Sequence, residues 1–401
     1  MPQVDGSGGL SEPGLDTEPE SRMSRRYAER LELIRRTIAL EKVDRVPSIY
    51  MGTAFAPRYM GGKIARYCDD MNYAFQVQLD AMDRLGGIDG ANVAAGGRIA
   101  PVLSARWLSR VAVPGIELPD DTLWQVMEAE VMTIQDYDAI LEKGWKAFVN
   151  EYLPRVVDMR LLGETFEWMA KNGARIQRAF VDRGYVVVTD AKMAPTPPFE
   201  ALCGARSMQK FFLDLLRIPK KVEAVMEVIM RDVMADIEAL PPWKGPGIGG
   251  TWVGGWRGAP GLLAPRHFDR FVWPYIVEMV RALVAKGYTP VLHFDQDWNR
   301  ELHRLNELPP ARCIFNPDGM TSMKTFREVA GDSMAMLGDV PSVLLSTGTP
   351  EAVADYTRNL LALFGNRGLL FAGGCDMPIN ARVENVERML QVLREHNERR
   401  H

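Results

Sequence analysis

The stretch TPVLHFD, residues 289–295, decides how this sequence folds. Its apolar run begins shortly after Gly287 and ends abruptly in a histidine and an aspartate. Short apolar runs of this kind are typical of strands that are buried on both faces of a parallel sheet. Because His293 and Asp295 are two residues apart, the period of a strand places both side chains on one side. The run therefore predicts a buried strand whose carboxyl end presents polar groups.

Seven other runs have a similar form, and helical patterns separate them. They lie at residues 44–52, 87–94, 185–195, 247–260, 311–318, 333–340 and 368–377. Eight strands that are each followed by a helix predict a (β/α)8 TIM barrel, with a doubly wound sheet as the alternative. The barrel is favoured because the polar residues that end the runs would then meet on one face, where barrel enzymes carry their active sites.

A tail and an insertion lie outside this repeated pattern. Residues 1–23 are rich in Gly, Ser, Pro, Asp and Glu and predict a disordered tail, which leaves 24–401 for the barrel. Residues 101–165 contain two alternating segments around a PDD turn and then an amphipathic helix. Thr133 opens that helix and Asp136 follows three residues later, close to a capping box. We expect the insertion to be a hairpin with helices.

The composition argues against several classes of protein. A net charge of −4 over 401 residues does not suit phosphate binding, so nucleic acid is not an expected partner. The four cysteines are far apart and form no CxxC, which favours a reducing cytoplasm over a disulfide framework. No apolar run is long enough for a membrane span, and the amino terminus lacks the pattern of a signal peptide. We therefore expect a cytoplasmic protein that does not bind membranes.

The ends of the predicted strands supply candidate substrate-binding residues. In GGTWVGGWRG, residues 249–258, the glycines allow the backbone to approach a flat ligand, and Trp252 and Trp256 offer stacking surface. The alternative is that both tryptophans fill the barrel mouth as core. Asp190 and Lys192 suit either an anchor for a polar substrate group or a structural ion pair. The full set of candidates is Tyr50, Met51, Asp190, Lys192, Trp252, Trp256 and Asn316.

The second half of the chain resembles a known family. The similarity is carried by HFD (293–295), CIFNPD (313–318), MAMLGDVPSVLLSTGTPEAV (334–353) and FAGGCDMPINARVENVERMLQ (371–391). These runs resemble the uroporphyrinogen decarboxylase superfamily, which includes the cobalamin-linked methyltransferases that serve coenzyme M and related acceptors. In element order the resemblance extends over roughly residues 25–398, and it implies the TIM barrel fold.

One feature separates the two branches of that superfamily. Its decarboxylases carry an arginine-rich segment after the first strand, which holds the carboxylates of the substrate. The matching stretch here, YMGTAFAPRYMGG (50–62), contains Arg58 alone. Because a porphyrinogen with many carboxylates needs several cationic partners, the methyltransferase branch is the better match.

The resemblance to the methyltransferases implies a metal site. They hold zinc through a His-x-Cys motif after one strand and a cysteine after the last strand. His293 and Cys375 match, while Asp295 stands where the middle cysteine is expected. A carboxylate is a legitimate zinc ligand, although this harder donor makes the site more Lewis acidic and leaves another metal, or none, open. We predict His293, Asp295 and Cys375 as metal ligands.

The reaction that the resemblance implies also needs catalytic groups. We assign these roles to His293 and to two carboxylic acids, Asp297 and Asp339, either of which would protonate a leaving oxygen. Asp297 is also suited to cap the helix that follows it.

The resulting functional hypothesis is the methyltransferase subunit of a corrinoid-dependent system. It moves a methyl group from a small, methoxylated aromatic substrate to the cobalt of a corrinoid (cobalamin) on a separate corrinoid-binding protein, as an O-demethylase does. The alternatives are methylcorrinoid-to-thiol transfer, a divergent decarboxylase, and a non-catalytic subunit that binds the corrinoid protein. The expected partners are thus a small methyl donor or acceptor and the corrinoid protein, and a homodimer is left open.

Overall fold

The computed structural model describes residues 18–191 and 193–399. Two predictions fall outside these ranges: the first seventeen residues of the expected tail, and Lys192. The first helix, α1 (Glu18–Ile38), begins within residues 1–23, which the sequence assigned to the tail.

All eight predicted barrel strands form, although most are shorter than the apolar runs that announce them. The barrel strands are β1 (Ile49–Tyr50), β2 (Gly90–Ala91), β5 (Val186–Val187), β6 (Gly250–Gly255), β7 (Thr289–Phe294), β8 (Ile314–Pro317), β9 (Ala335–Val340) and β10 (Leu369–Gly373). The insertion adds β3 (Val111–Ala112) and β4 (Gln125–Val126). Except for β3 and β4, neighbouring strands pair in parallel, in the orders β1-β2-β5 and β6-β7-β8-β9-β10.

Two contacts join these groups of strands into a closed barrel. On one side, Ser48 and Phe371 form a parallel bridge, and the Phe371 N–H donates to the Pro47 carbonyl at 2.9 Å. On the other side, the Ala191 N–H donates to the Gly250 carbonyl at 3.0 Å. Because a doubly wound sheet would leave two open edges, the predicted (β/α)8 barrel is confirmed.

The helices surround the barrel in the alternation that the sequence indicated. After α1 they are α2 (Phe55–Tyr59), α3 (Ile64–Asp69), α4 (Met71–Leu85), α5 (Ile99–Trp107), α6 (Ile134–Lys143), α7 (Trp145–Tyr152), α8 (Met159–Asp182), α9 (Pro198–Arg206), α10 (Met208–Arg217), α11 (Pro219–Ala239), α12 (Pro265–Phe271), α13 (Trp273–Ala285), α14 (Met323–Val329), α15 (Ser342–Thr347), α16 (Pro350–Phe364) and α17 (Val383–Glu398). None of the helices in the described part of the chain is long and apolar enough to span a membrane.

The barrel interior is filled by side chains and is not a pore. Val291, Ile314, Leu337 and Leu370, from four successive strands, belong to one buried cluster. Leu31, Ile34 and Ile38 of α1 join the same cluster. A larger cluster fills the space between the strands and the outer helices. Ligands can therefore reach polar side chains only at the ends of the barrel, and in this fold the site lies at the carboxyl ends of the strands.

The insertion contains the hairpin that the alternating segments predicted. Strands β3 and β4 pair in antiparallel fashion. The Thr133 N–H donates to Asp136 at 2.7 Å, and a capping box opens α6 as expected. Arg206 of α9 holds the insertion against the barrel, because it donates to the Met132 carbonyl at 2.6 Å and to Asp214 at 2.8 Å.

Candidate active site

The three predicted metal ligands lie together at the carboxyl end of the barrel. His293 lies near the end of β7, Asp295 directly follows that strand, and Cys375 follows β10. His293 Nε2 is 3.2 Å from Asp295 Oδ1 and 3.8 Å from Cys375 Sγ. One ligand atom from each residue lies within 4.8 Å of the other two. We call these three residues the triad.

Asn316 sets the orientation and tautomer of His293. The Asn316 amide nitrogen donates to the carbonyls of Leu337, at 2.8 Å, and Gly374, at 3.3 Å. Its oxygen must therefore be the atom that lies 2.9 Å from His293 Nδ1, and Nδ1 must carry the hydrogen. Nε2 is consequently the ring nitrogen that faces Asp295 and Cys375, where a metal ion would take the place of a proton, as in a metal-bound histidine.

The charges within the triad also suit a cation. Burial lowers the pKa of His293, but the neighbouring Asp295 and Cys375 outweigh that effect and hold the pKa well above its usual value. Asp295 Oδ1 is buried, lies 3.2 Å from His293 Nε2, and accepts no hydrogen bond of good geometry from any described residue. Because an orphaned carboxylate oxygen is costly, a metal ion bonded to it would remove that cost. The donor set of imidazole, carboxylate and thiol fits zinc.

Apolar groups line the triad. The Trp252 ring lies against the His293 ring, with 4.7 Å between centroids, as its position on β6 beside β7 requires. Met51 belongs to the buried cluster inside the barrel, and its sulfur lies 3.9 Å from the Asn316 amide nitrogen. The structure thus brings two of the predicted substrate-binding residues and Asn316 to the triad.

Trp256 lies in a second aromatic group beside the triad. Its ring packs against Trp107 of α5 at 5.6 Å, and the Arg257 guanidinium lies 3.7 Å from its centroid. Glu200 of α9 holds this turn, because its carboxylate accepts the N–H groups of Arg257 and Gly258 at 3.1 and 2.7 Å. Burial raises the pKa of Glu200 to about 7. Sequence reasoning singled out neither Trp107 nor Glu200, because both lie on helices far from β6 in the chain.

Three predicted site residues form hydrogen bonds with groups outside the triad. Tyr50 alternates with its inward-facing neighbours and packs in the outer cluster, where its hydroxyl donates to the Gly52 carbonyl. The Asp190 carboxylate accepts the backbone N–H groups of Ile248 and Gly250, so it joins β5 to β6. Asp297 is exposed and accepts the Asn299 N–H at 2.7 Å in a turn; it does not cap the next helical segment, which begins only at Leu302.

Asp339 is buried against an outer helix. Its carboxylate accepts the hydroxyl of Tyr356, on α16, at 3.0 Å, and its other oxygen lies buried without a partner among the described residues. Burial raises the pKa of Asp339 to about 8, and the nearby Asp318 adds to the effect. This carboxyl therefore carries its proton at neutral pH.

Asp376 fixes the loop that carries Cys375, a role that we had not assigned. Its carboxylate accepts the Thr53 N–H at 2.8 Å, the Thr53 hydroxyl, and the Ala54 N–H at 3.3 Å. The loop after β10 is thereby tied to the loop after β1. The sequence signal was the aspartate next to Cys375 in GGCD, but its partner lies more than three hundred residues earlier.

Comparisons with known proteins identify the family and agree with the fold. Residues 193–396, just over half of the chain, match the family model described as uroporphyrinogen decarboxylase (URO-D). The solved structure of a methyltransferase from Methanosarcina mazei is similar, with a TM-score of 0.64 and 14% sequence identity, over 91% of this chain and 98% of that one. At this identity the likeness shows a shared fold. No curated protein sequence matches the chain.

Proposed function

The chain belongs to the uroporphyrinogen decarboxylase family, and we propose that within this family it is the methyltransferase subunit of a corrinoid-dependent system. The substrate is a small methoxylated aromatic compound, and the methyl group passes to the cobalt of a corrinoid on a separate protein. The observation that carries the proposal is the triad, in which Asn316 leaves His293 Nε2 free to bind a metal beside Asp295 and Cys375.

Zinc is the metal that we assign to the triad. When bound there, it supplies a Lewis acid that stabilises negative charge on an oxygen of the substrate. Asp295 supports the choice of an oxygen, because a carboxylate is a harder donor than the thiolate that the resembling methyltransferases carry at this position. Asn316 keeps the His293 ring in the productive tautomer, and Asp376 keeps Cys375 in reach.

The transfer breaks the bond between the ether oxygen and the methyl carbon. A reduced corrinoid on the partner protein would supply the electron pair for the new bond to that carbon, and the oxygen would keep the pair of the broken bond as a phenoxide. Trp252, whose ring covers His293, offers an apolar face to the aromatic ring of the substrate. Of the two carboxylic acids that we proposed as proton donors, Asp297 is exposed, whereas burial raises the pKa of Asp339 to about 8, so Asp339 carries its proton at neutral pH.

The experiment combines the chain, a reduced corrinoid protein and a panel of methoxylated aromatic compounds. We expect the demethylated phenol to form with the wild-type protein and to be nearly absent with His293→Ala. The exposed His303 provides a matched control, so His303→Ala should retain the activity. Methylation of a thiol from methylcorrinoid, with no phenol from any donor, would contradict the proposed direction of transfer.

A further inference from the structure

We propose that Arg106, together with the Trp107–Trp256 pair, forms a subsite that binds a carboxylate on the substrate. The substrate class is then the methoxylated aromatic acids. This inference rests on the proposed function, since it names the substrate of the same site.

Among the described residues, Arg106 has no acidic partner. It lies in the last turn of α5 and is only partly exposed. Its Nη1 donates to the Ala194 carbonyl at 3.1 Å, and no acidic side chain among residues 18–191 and 193–399 forms an ion pair with it. Burial lowers the pKa of Arg106. A guanidinium offers five N–H donors, so most of them are left for a ligand that brings negative charge.

The aromatic surface next to Arg106 suits a ring. Trp107 follows it directly, and the Trp107 and Trp256 rings are tilted by 35° with centroids 5.6 Å apart. Both tryptophans are partly exposed. Arg257 covers the Trp256 ring, and its buried Nη1 also has no acceptor among the described residues. Indoles and unpaired guanidinium groups together are the partners of an aromatic anion.

Backbone contacts place this subsite beside the triad. The Asp295 N–H donates at 3.1 Å to the carbonyl of Gly255, which is the residue before Trp256. Ala194, the partner of Arg106, follows Met193, whose carbonyl accepts the hydroxyl of Thr251 on β6 at 2.5 Å. Arg106 is thus held against the loop that follows β5, and Trp256 directly follows β6, the strand next to His293, so both lie at the carboxyl face of the barrel.

Nearby acidic groups are already engaged by other partners. Glu200 accepts the N–H groups of Arg257 and Gly258. Glu128, which is half exposed, lies 3.4 Å from the Arg257 guanidinium. Neither of them forms an ion pair with Arg106, and the subsite therefore has positive charge to offer.

The test compares two probes of similar shape, 3-methoxybenzoate and the neutral 3-methoxybenzamide. We expect calorimetry to show that the wild-type protein binds the benzoate about tenfold or more tightly than the amide, as a charge-assisted hydrogen bond predicts. Arg106→Gln should abolish this preference. Arg110→Gln is the matched control, because Arg110 lies in the same segment but is exposed and paired with Glu117. It should bind both probes as the wild type does.

The inference and the proposed function fail in different ways. Equal binding of the two probes by the wild-type protein would overturn the subsite, and this comparison does not depend on whether a variant folds. An unchanged preference in Arg106→Gln would also overturn it. Demethylation of the neutral amide without a preference for the benzoate would overturn the subsite and leave methyl transfer intact. A preference that depends on Arg106, without methyl transfer from either compound, would support the subsite and contradict the proposed function.

Discussion

Removing the Asn316 side chain should weaken metal binding without any change to a ligand. Asn316→Ala removes the acceptor of the 2.9 Å hydrogen bond from His293 Nδ1–H, so the ring is free to rotate and to change tautomer. Loss of such a partner of a metal-bound histidine costs about 10–100-fold in metal affinity, or about 1.4–2.7 kcal/mol. The variant also loses donors to the Leu337 and Gly374 carbonyls, at about 1–3 kcal/mol of unfolding free energy.

A second buried asparagine separates these two effects. Asn385 donates to the Leu345 and Gly348 carbonyls at 3.1 and 3.0 Å, and it forms no hydrogen bond with the triad. Asn385→Ala should therefore lose stability but keep the zinc affinity of the wild type. Zinc dissociation constants come from competition with a chromophoric chelator, and stability comes from chemical denaturation. Equal zinc affinities in Asn316→Ala and the wild type would refute the proposed role of Asn316.

Three further variants test other parts of the account. Asp295→Cys should bind zinc more tightly and transfer methyl groups from ethers more slowly, because thiolate is the softer donor. Competition with a chelator measures the zinc affinity, and the rate of phenol formation measures the transfer. Folding raises the pKa of Asp339 from 3.8 to about 8, so the stability contributed by its proton is complete below about pH 4 and is lost as the pH rises to about 8. Asp339→Asn, which still accepts from Tyr356, should gain unfolding free energy relative to the wild type across that interval. Asp214→Ala leaves Arg206 without its buried partner and should lower the unfolding free energy by about 3–5 kcal/mol, whereas Asp120→Ala, at an exposed ion pair, should have little effect.

The barrel was accessible from the sequence because it follows from short-range patterns, whereas the complete triad also required the resemblance to the methyltransferases. Apolar runs locate the eight strands, and the period of two places His293 and Asp295 on one side. The resemblance to the methyltransferases indicated Cys375 as the third ligand, and the barrel brings it to the other two because parallel strands present their carboxyl ends on one face.

Other features depend on distant partners, which a single sequence does not reveal. The role of Asn316 requires two carbonyls, at Leu337 and Gly374, that orient its amide. Asp190 is a carboxylate at a predicted strand end, where site residues are expected. Its two oxygens, however, accept the backbone N–H groups of Ile248 and Gly250 at the start of β6. Arg106 stands out only once the fold shows that its hydrogen-bond acceptor is a backbone carbonyl and that the described part of the chain supplies no acidic partner.

The same dependence on distant partners explains why the sequence patterns predicted strands that are longer than those in the structure. The run at residues 185–195 predicts a long strand, but β5 covers only Val186–Val187. Beyond β5, the Asp190 carboxylate accepts the Gly250 N–H, and the Met193 carbonyl accepts the Thr251 hydroxyl. These contacts involve side chains and do not extend the regular backbone pairing of the sheet. Apolar alternation thus reports burial, whereas the length of a strand depends on its neighbours.

The most direct measurement is a single-turnover spectrum of cobalt. The reduced corrinoid protein is mixed with the chain and a methoxylated aromatic donor whose methyl carbon is isotopically labelled. We predict conversion of reduced cobalt to methyl-cobalt with the label on the cobalt-bound carbon, at a rate that falls sharply in His293→Ala and is unchanged in His303→Ala. No conversion with the wild-type protein across a broad donor panel, or equal conversion with His293→Ala, would contradict the account.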